Sequence, residues 1–381
     1  YEDSMTPQYQ AVDWMVNGDE SSVDLDNKLR RETRFALAVL YFSTAGANWN
    51  DKHFFLSKWH ECDWNDEETG FGVLCTDDGR VTSLSFVDNR LLGKLPQELS
   101  GLSDLEILRL SNNLLTGTIP DFTFTKLREL HLGENRFEGA MPTYLSKLST
   151  LQLLNVTYNQ FSSTLPSELA ELRNLETLEL AANAIEGTFP LDFTQELRRL
   201  DLAGNSLTGT IDGVENYHNL EYLDLSSNFL SGTVPINIGG LSNLQVFRLA
   251  ENEFEDRLPS TLGFMTNLQV FDASNNLLSG TFPWLFFPPS RNSLAELLLA
   301  RNAITGSLPA SNDLIRFQNL EVIDFGSNQL TGPLPVALGS LPKLRIIELS
   351  ANDLEGSFDF GFYGSLETLS VSGNYLSGAI P

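Results

Sequence analysis

The sequence predicts an α/β solenoid in which short, similar coils stack into a curved rod with a parallel β-sheet on its concave side. Three observations favour this fold class. A motif recurs along most of the chain at intervals of 22 to 26 residues, which leaves room only for short loops or 3-10 turns on the convex side. The 381 residues are too many for one ordinary hydrophobic core. A helical segment precedes the repeats and is predicted to cover their first strand.

The repeat is clearest in residues 105–120, which follow the pattern LxxLxLxxNxLxGxIP. The glycine of the pattern fails only at Ser163 and Asp256. The proline fails only at Asp212 and Asp359. The asparagine returns in thirteen copies, at positions 89, 113, 135, 159, 183, 205, 228, 252, 276, 302, 328, 352 and 374.

Each position of the pattern has a physical role. The apolar residues that alternate with polar ones face inward from a short strand, and neighbouring coils must cover that face because one strand cannot bury it alone. The asparagine amide donates and accepts hydrogen bonds, which predicts a buried ladder that satisfies backbone groups where the chain turns. Glycine permits conformations closed to other residues, and proline lacks an N–H group that would need a partner.

Composition and missing motifs exclude several functions. Asp and Glu number 50 against 24 Lys and Arg, and the formal net charge of −26 repels phosphate backbones, so nucleic acid is excluded as a partner. No nucleophile elbow, P-loop, HExxH or GxGxxG motif occurs, and two cysteines with four scattered histidines make no zinc site. We therefore expect no enzyme activity, no cofactor and no metal centre. The longest apolar run near the start, residues 35–42, is too short to cross a bilayer.

The LxGxIP half of the repeat resembles the plant-type subclass of leucine-rich repeats. This subclass occurs in receptor-kinase ectodomains, receptor-like proteins and polygalacturonase-inhibiting proteins, and the resemblance covers about residues 80 to 381. It implies a second short strand beside the LxGxIP turn and a twisted, right-handed superhelix. Because related ectodomains bind peptides or partner proteins, it also implies a non-catalytic recognition module.

Residues 1–79 resemble the N-terminal cap of this family. Residues 34–49 look like the helix-plus-Trp segment of algal, protist and bacterial members, and residues 59–64 with 72–75 look like the plant cap. The resemblance implies a disulfide between Cys62 and Cys75, hence an oxidising compartment and a secreted or cell-surface protein. Residues 65–71 depart from the family pattern as an acidic insertion.

A helix from about Leu25 to Thr44 is expected to cover the open edge of the first strand. The side chains available for burial are Leu29, Phe35, Leu37, Leu40 and Tyr41.

The repeats fill residues 80–381 and end at Pro381 without a C-terminal cap. Because an uncovered strand edge invites association, we expect the precursor to continue. The chain begins at Tyr1, so we also expect a processed or trimmed start. A cap, a stalk, a membrane anchor, a transmembrane span or a kinase domain remain open alternatives beyond Pro381. This segment itself is not expected to enter a membrane.

The outward positions of the inner strands form the candidate binding surface. The position between the two core residues of LxL is mostly acidic from Glu179 onward, and the position two residues earlier is mostly apolar from Tyr222 onward. An apolar stripe beside an acidic stripe predicts a groove for a peptide with basic groups, a protein or a polysaccharide. Strand propensity and solubility are the alternative explanation. The candidate residues are Glu179, Asp201, Tyr222, Asp224, Val246, Arg248, Val270, Asp272, Asp324 and Glu348.

Three smaller features carry their own hypotheses. Asn155 begins the only N-x-[ST] sequon and is a candidate glycosylation site. The acidic residues 63–70 offer oxygen ligands for weak Ca²⁺ binding, although a solvated loop is the favoured interpretation. The aromatic segment 282–289 is interpreted first as core, with one aromatic turned outward as the alternative.

The sequence thus predicts an extracellular recognition module, such as the ectodomain of a cell-surface receptor or receptor-like protein. One alternative is a structural adhesion or cell-wall protein that works through calcium-bridged or polysaccharide contacts, as its acidity suggests. Another is an inhibitor of a secreted hydrolase.

Overall fold

A computed structural model describes residues 6–19, 27–190, 193–287, 293–314, 316–357 and 365–378, without the side chains of residues 286 and 311. The chain forms two compact units. The first is Tyr1–Glu186 with Asp192–Glu196, and the second is Gly187–Leu191 with Leu197–Pro381. Both consist of repeated coils with two short strands each, which confirms the predicted α/β repeat fold. The curvature and twist of the whole chain stay predictions.

The first strand of each coil, the inner strand, pairs in parallel with the inner strand of the next coil in the same unit. The inner strands of the first unit are Val81–Ser85, Ile107–Arg109, Glu129–His131, Leu153–Asn155 and Thr177–Glu179. Those of the second unit are Arg199–Asp201, Tyr222–Asp224, Val246–Arg248, Val270–Asp272, Glu296–Leu298, Val322–Asp324, Ile346–Glu348 and Thr368–Ser370.

A second strand follows the asparagine in each coil, as the family resemblance implied. In the first unit these strands are Leu92–Gly93, Leu114–Gly117, Arg136–Ala140, Gln160–Thr164 and Ala184–Thr188, whose last two residues belong to the second unit. In the second unit they are Ser206–Gly209, Phe229–Gly232, Glu253–Arg257, Leu277–Gly280, Ala303–Gly306, Gln329–Gly332, Asp353–Ser357 and Tyr375–Ser377.

Short helical turns return the chain to the next inner strand, because the repeats are too short for longer helices. One is the four-residue helix Ser311–Leu314. The others are the 3-10 helices Gln97–Gly101, Thr143–Lys147, Ser167–Glu171, Val214–Asn216, Ile238–Gly240, Ser260–Phe264, Trp284–Phe286 and Val336–Ser340.

The predicted asparagine ladder is present, and Asn252 shows its geometry. The Asn252 Nδ2 donates to the carbonyl oxygens of Leu249 and Ala250 in its own coil, at 3.1 and 3.2 Å. It also donates to the Leu225 carbonyl of the preceding coil at 2.9 Å, and its Oδ1 accepts from the Leu230 N–H of that coil at 3.0 Å. The same set of bonds is made by Asn113, Asn135, Asn159, Asn183, Asn228, Asn276, Asn302, Asn328, Asn352 and Asn374.

The glycine of the repeat occupies a left-handed backbone conformation, for example at Gly232 with φ 79°. The two exceptions keep this conformation, with φ 72° at Ser163 and φ 62° at Asp256. The coil geometry therefore overrides the residue's own preference, at an energetic cost that glycine would avoid.

Two helices precede the repeats, α1 (Pro7–Asp13) and α2 (Lys28–Ser43). A π-helical turn, Trp14–Gly18, continues α1. The predicted helix therefore starts at Lys28, and Leu25 lies outside the described residues. Leu29 is exposed rather than available for burial, whereas Leu37 and Leu40 are buried. Phe35 and Tyr41 are half-buried.

The first coil is joined to the segment after α2 by the ladder itself. The 3-10 turn Gly46–Asn48 leads into this segment. Asn89 Nδ2 donates to the Asp51 carbonyl at 2.8 Å, and its Oδ1 accepts from the Asp51 N–H at 2.6 Å. Trp49 and Phe55 pack on Phe86 of the first coil, with ring centroids 5.0 and 5.5 Å away. The segment thus covers the first coil's core with aromatic rings and satisfies its amide. The assignment of residues 1–79 to a cap stays a prediction.

The acidic insertion forms a hairpin rather than a loop. Asn65–Asp66 pairs antiparallel with Phe71–Cys75, which pairs antiparallel with Val81–Ser85. The disulfide between Cys62 and Cys75 is present and ties this hairpin to the 3-10 turn Glu61–Asp63. Closing a loop of this length contributes about 3 kcal/mol in the chain-entropy model.

A buried arginine organises the cap. The Arg34 side chain is fully buried and pairs with Asp19 at 2.9 Å and with Glu61 at 3.2 Å. Its guanidinium lies 5.2 Å from the ring centre of Trp14 and 4.9 Å from that of Trp64. Because a buried charge is tolerated only when it is paired and hydrogen-bonded, this cluster fixes how the helices pack.

Within the described ranges, no helix combines the length and apolar character needed to cross a membrane.

Replacing Asn252 with alanine is expected to lower the free energy of unfolding by about 3 kcal/mol, because it leaves the Leu230 N–H buried without its acceptor and removes the amide's bonds to the Leu225, Leu249 and Ala250 carbonyls. Urea unfolding followed by circular dichroism measures the change. The exposed Gln329 on a second strand provides a control, and Gln329→Ala should stay within about 0.5 kcal/mol of the parent. Equal effects of the two substitutions would contradict the role assigned to the ladder.

Replacing Arg34 with methionine is expected to cost about 3 kcal/mol, because Glu61 and Asp19 lose their buried cation. Lys28→Met removes a cation whose side chain is 76% exposed and should change stability little. Thermal unfolding of both variants checks the difference. A stability unchanged by Arg34→Met would mean that the buried ion pairs do not hold the cap together.

Candidate functional site

The inner strands of the second unit bring the predicted site residues into two parallel columns. The first column contains residues in direct register, namely Tyr222, Val246, Val270, Glu296, Val322 and Ile346. The second column contains Asp224, Arg248, Asp272, Leu298, Asp324 and Glu348, again in register. Between the columns, the central residue of each strand is buried in the core. Side chains along each column are therefore about 4.8 Å apart, the spacing of neighbouring strands.

Two predicted residues lie at or outside the ends of these columns. Asp201 is in register with Asp224 and extends the second column by one strand. Glu179 belongs to the first unit, where it is in register with Asn155. The structure thus joins nine of the ten predicted residues on the strands of one unit.

A cluster around Tyr222 occupies one end of the columns. The Arg199 guanidinium lies 3.6 Å from the centre of the Tyr222 ring, and the Tyr222 hydroxyl donates to Asp224 Oδ2 at 3.1 Å. Arg248 donates to the Tyr222 hydroxyl at 3.4 Å and pairs with Asp224 at 3.6 Å. Burial, then the Asp224 and Asp201 carboxylates, raise the pKa of the Tyr222 hydroxyl. The charges of Asp224 and Arg248 therefore largely neutralise each other.

The other end of the columns is acidic and apolar. Asp272 Oδ1 accepts from the backbone N–H and hydroxyl of Ser274, at 3.0 and 2.7 Å. Asp324 Oδ1 accepts from the Gly326 N–H at 2.9 Å. Burial raises the pKa of the Asp324 carboxyl, and the Glu348 and Asp272 carboxylates raise it further, against the opposing effects of the Gly326 N–H and the Arg301 charge. These three acids therefore sit in a field that favours an added positive charge.

Backbone contacts hold the acids of the second column in place. Asp201 and Asp224 also accept from the N–H two residues later, at Ala203 and Ser226. The aspartates at these positions thus fix the strand ends as well as the surface charge.

Sequence reasoning missed Arg199. Arg199 occupies the first column one strand before Tyr222. The repeat spacing places this arginine in register with the tyrosine, and that signal in the sequence could have identified it. The contact is sensitive to side-chain orientation, which a list of positions does not give.

The first unit presents a different surface. Arg109 pairs with Glu129 at 2.7 Å, and His131 contacts the same carboxylate at 3.1 Å. Although burial opposes it, hydrogen bonds from His131 and Arg109 lower the pKa of the Glu129 carboxyl. Arg109 is thus already paired on this face.

The sequon asparagine lies on the same strand face. Asn155 Nδ2 donates to Glu179 Oε2 at 2.6 Å, and its Oδ1 accepts from the Thr157 N–H and hydroxyl at 3.0 and 2.9 Å. A glycan on Nδ2 would have to replace the Glu179 contact. Glycosylation at Asn155 stays a prediction.

The acidic insertion is held by its own hydrogen bonds. Asp66 accepts from the Glu68 N–H at 3.0 Å and from the Thr69 hydroxyl at 2.9 Å, and the Thr69 bond lowers the pKa of its carboxyl. No group of three or more His, Cys, Asp or Glu among the described residues is arranged to hold a metal ion. Weak Ca²⁺ binding here stays a prediction.

The aromatic segment 282–289 packs mainly into the core. Phe282, Trp284 and Phe287 are buried, and the Phe282 and Trp284 rings are 4.5 Å apart. Among the described side chains of this segment, the one turned outward is that of Leu285, which is 63% exposed and is not aromatic. The Phe286 side chain, Pro288 and Pro289 lie outside the described part.

The sequence is similar to known leucine-rich-repeat proteins. A model described as "Leucine-rich repeat region" matches residues 119–374, and one described as "Leucine Rich Repeat" matches residues 104–124. Receptor-like protein 35 of Arabidopsis thaliana is 32% identical over 132 residues, which is 34% of this chain and 14% of the relative. Receptor-like protein kinase BRI1-like 3 of Arabidopsis thaliana is 33% identical over 306 residues, 78% of this chain and 24% of the relative. The chain thus spans a quarter or less of the length of these relatives.

Solved structures show the same repeat architecture. The plant peptide hormone receptor RGFR1, in complex with RGF2, has a TM-score of 0.72 and 30% identity, covering 77% of this chain and 47% of that one. The Arabidopsis receptor kinase HAESA, in complex with the peptide hormone IDA and the co-receptor SERK1, has a TM-score of 0.71 and 29% identity, covering 92% and 62%. With the family model matching well over half of the sequence, the chain belongs to the leucine-rich-repeat family.

Proposed function

We propose that this chain is a non-catalytic extracellular recognition module whose second unit binds an extended peptide, or an extended segment of a protein, that carries basic side chains. The observation that carries the proposal is the register of the two columns, which places apolar Val270, Val322 and Ile346 beside the acids Asp272, Asp324 and Glu348.

The contacts within the columns favour the acidic end as the site for a cation. Arg248 neutralises Asp224, so the Tyr222 end has little charge to offer. Asp272 and Asp324 each use one oxygen for strand-end contacts, and within the described residues the second oxygen of each carboxylate is available to a ligand. A lysine or arginine placed between them would form charge-assisted hydrogen bonds and relieve the repulsion between the acids.

The relatives support a peptide or protein as the ligand class. RGFR1 and HAESA are structurally similar to this chain, and both were solved with peptide hormones bound. The disulfide fits an extracellular setting. The adhesive and hydrolase-inhibitor alternatives stay predictions.

Peptides selected on the native chain from a random peptide library at physiological salt are expected to be enriched in Lys and Arg beside apolar residues. Affinity for the selected peptides should fall roughly tenfold for each carboxylate removed in Asp272→Asn and Asp324→Asn, since hydrogen bonds to charged groups are worth about 1.5–3 kcal/mol. Calorimetry measures the change. Asp353→Asn removes an exposed carboxylate on a second strand and serves as the control. Acidic or neutral selected peptides, or unchanged affinity in both test variants, would contradict the proposal.

The affinity for these basic peptides should also depend on pH. The pKa of the Asp324 carboxyl is raised in the free chain, and a bound cation lowers it by favouring the carboxylate. The Asp324 contribution is therefore fully present above the raised pKa and is lost as the pH falls toward the pKa of the complex. In Asp324→Asn the decline should begin at lower pH than in the parent. Identical pH profiles would mean that Asp324 does not contact the ligand's charge.

A further inference from the structure

A pocket of about 390 Å³ opens among three consecutive turns of the second unit, on segments that the strand columns do not use. The turns are Val214–Asn216, Ile238–Gly240 and Ser260–Phe264. The pocket is lined by both apolar and polar side chains. It is therefore separate from the proposed peptide surface and is built from residues that the repeat pattern leaves variable.

Two of its lining residues are exposed and apolar at positions where several other repeats carry polar or small residues. Phe264 is 62% exposed at a position occupied elsewhere by Gly101, Lys147, Glu171 and Ser340. Ile236 is 65% exposed at a position occupied elsewhere by the polar Gln97, Thr143, Ser167 and Ser260 and, in a later repeat, by the apolar Val336. The other repeats show that the fold does not require an apolar side chain at either position. An exposed ring and an exposed aliphatic chain together in one pocket are typical of a contact site.

Two glycines shape the pocket. A Cβ on Gly239 would lie 2.5 Å from the Thr261 carbonyl oxygen, so only glycine lets the turns of these two coils approach as they do. A Cβ on Gly240 would lie 3.9 Å from Cε1 of His218 and would occupy space beside the imidazole. Gly239 therefore determines how closely the turns approach, whereas a Cβ at Gly240 would make only ordinary van der Waals contact with His218.

The polar side chains at the pocket have hydrogen-bond donors and acceptors available to a ligand. The side chains of Asn216, His218 and Asn237 are exposed and make no side-chain hydrogen bond to another residue in the described ranges. Glu215 uses one carboxylate oxygen to accept from the Gly213 N–H at 3.0 Å. Together they supply donors and acceptors around the ring of Phe264. No Lys or Arg lines the pocket, so it is unsuited to an anion.

We propose that this pocket binds one sugar ring of a neutral oligosaccharide. A pyranose has a C–H face that packs on the electron-rich face of an aromatic ring, here Phe264. Its hydroxyls each donate and accept, which matches the mixed amide, imidazole and carboxylate groups of Asn237, His218 and Glu215. A wholly apolar protein side chain would use Phe264 and Ile236 but none of these polar groups. The acidic charge of the chain disfavours a polyuronate.

In the test, the full chain is titrated with each probe separately, and binding is detected by NMR. The neutral probes are cellohexaose and laminarihexaose, the acidic probe is hexagalacturonate, and the apolar probe is N-acetyltryptophanamide. Binding of at least one neutral hexaose is expected. Phe264→Ser, which installs the residue found at position 340, should weaken that binding at least tenfold. Val336→Ser is the matched control, because Val336 is 52% exposed at the position equivalent to Ile236 in a later repeat. It should leave the affinity unchanged.

Three outcomes would overturn the proposal. They are no binding of either neutral hexaose at millimolar concentration, equal binding by Phe264→Ser and the parent, and binding of N-acetyltryptophanamide or hexagalacturonate in place of the neutral sugars. Because Phe264 is exposed, its variant is expected to fold, and unfolding midpoints of both variants verify this. Binding of basic peptides at the strand columns is measured separately, so failure here leaves that result unaffected.

Discussion

The buried asparagine amide is the interaction on which the structure depends. The amide of a typical coil donates to carbonyls of its own coil and of the preceding one, and it accepts from an N–H of the preceding coil, as at Asn252. A coil is therefore fully hydrogen-bonded only when its neighbour is in place. This requirement fixes the stacking and the parallel register of the inner strands, since one residue's slip would leave buried polar groups without partners.

The columns of surface side chains follow from that register. Because every inner strand is held at the same place by the amide that follows it, outward residues of successive coils align without contributing to the core themselves. The outward positions are then free to vary. The second unit uses them for the Arg248–Asp224 ion pair beside Tyr222 and for the acids Asp272 and Asp324, which form no salt bridge with any described residue. The turns offer a second set of variable positions, among which Phe264 is an exposed aromatic residue.

Repetition explains which features the sequence predicts. Thirteen copies of one motif make the assignment of each position clear, so the pattern predicts the strands, the asparagine ladder and the columns. The disulfide was predicted from the resemblance to the family's cap. The region before the repeats occurs once, so no other copies in the chain can be compared with it. Helix α1 and the hairpin at residues 65–75 were therefore missed. The ion cluster of Arg34 was also missed, because its partners Asp19 and Glu61 are distant in sequence.

At the candidate site, the sequence gives positions but not side-chain directions. The alignment of Asp272 with Leu298 and of Asp324 with Glu348 follows from the spacing, and the structure confirms it. The stacking of Arg199 on Tyr222 depends on rotamers, as does the neutralisation of Asp224 by Arg248. These contacts decide which part of an acidic surface still carries charge for a ligand.

Hydrogen exchange of individual backbone amides tests the central claim most directly. The amides of Leu230, Phe254 and Leu278, which donate to the ladder's Oδ1 atoms, should be among the slowest to exchange, and with similar free energies, because they open only when the coils separate. Exchange at these amides as fast as at the exposed turns would show that the coils are not held together by the asparagine ladder, and would contradict the account.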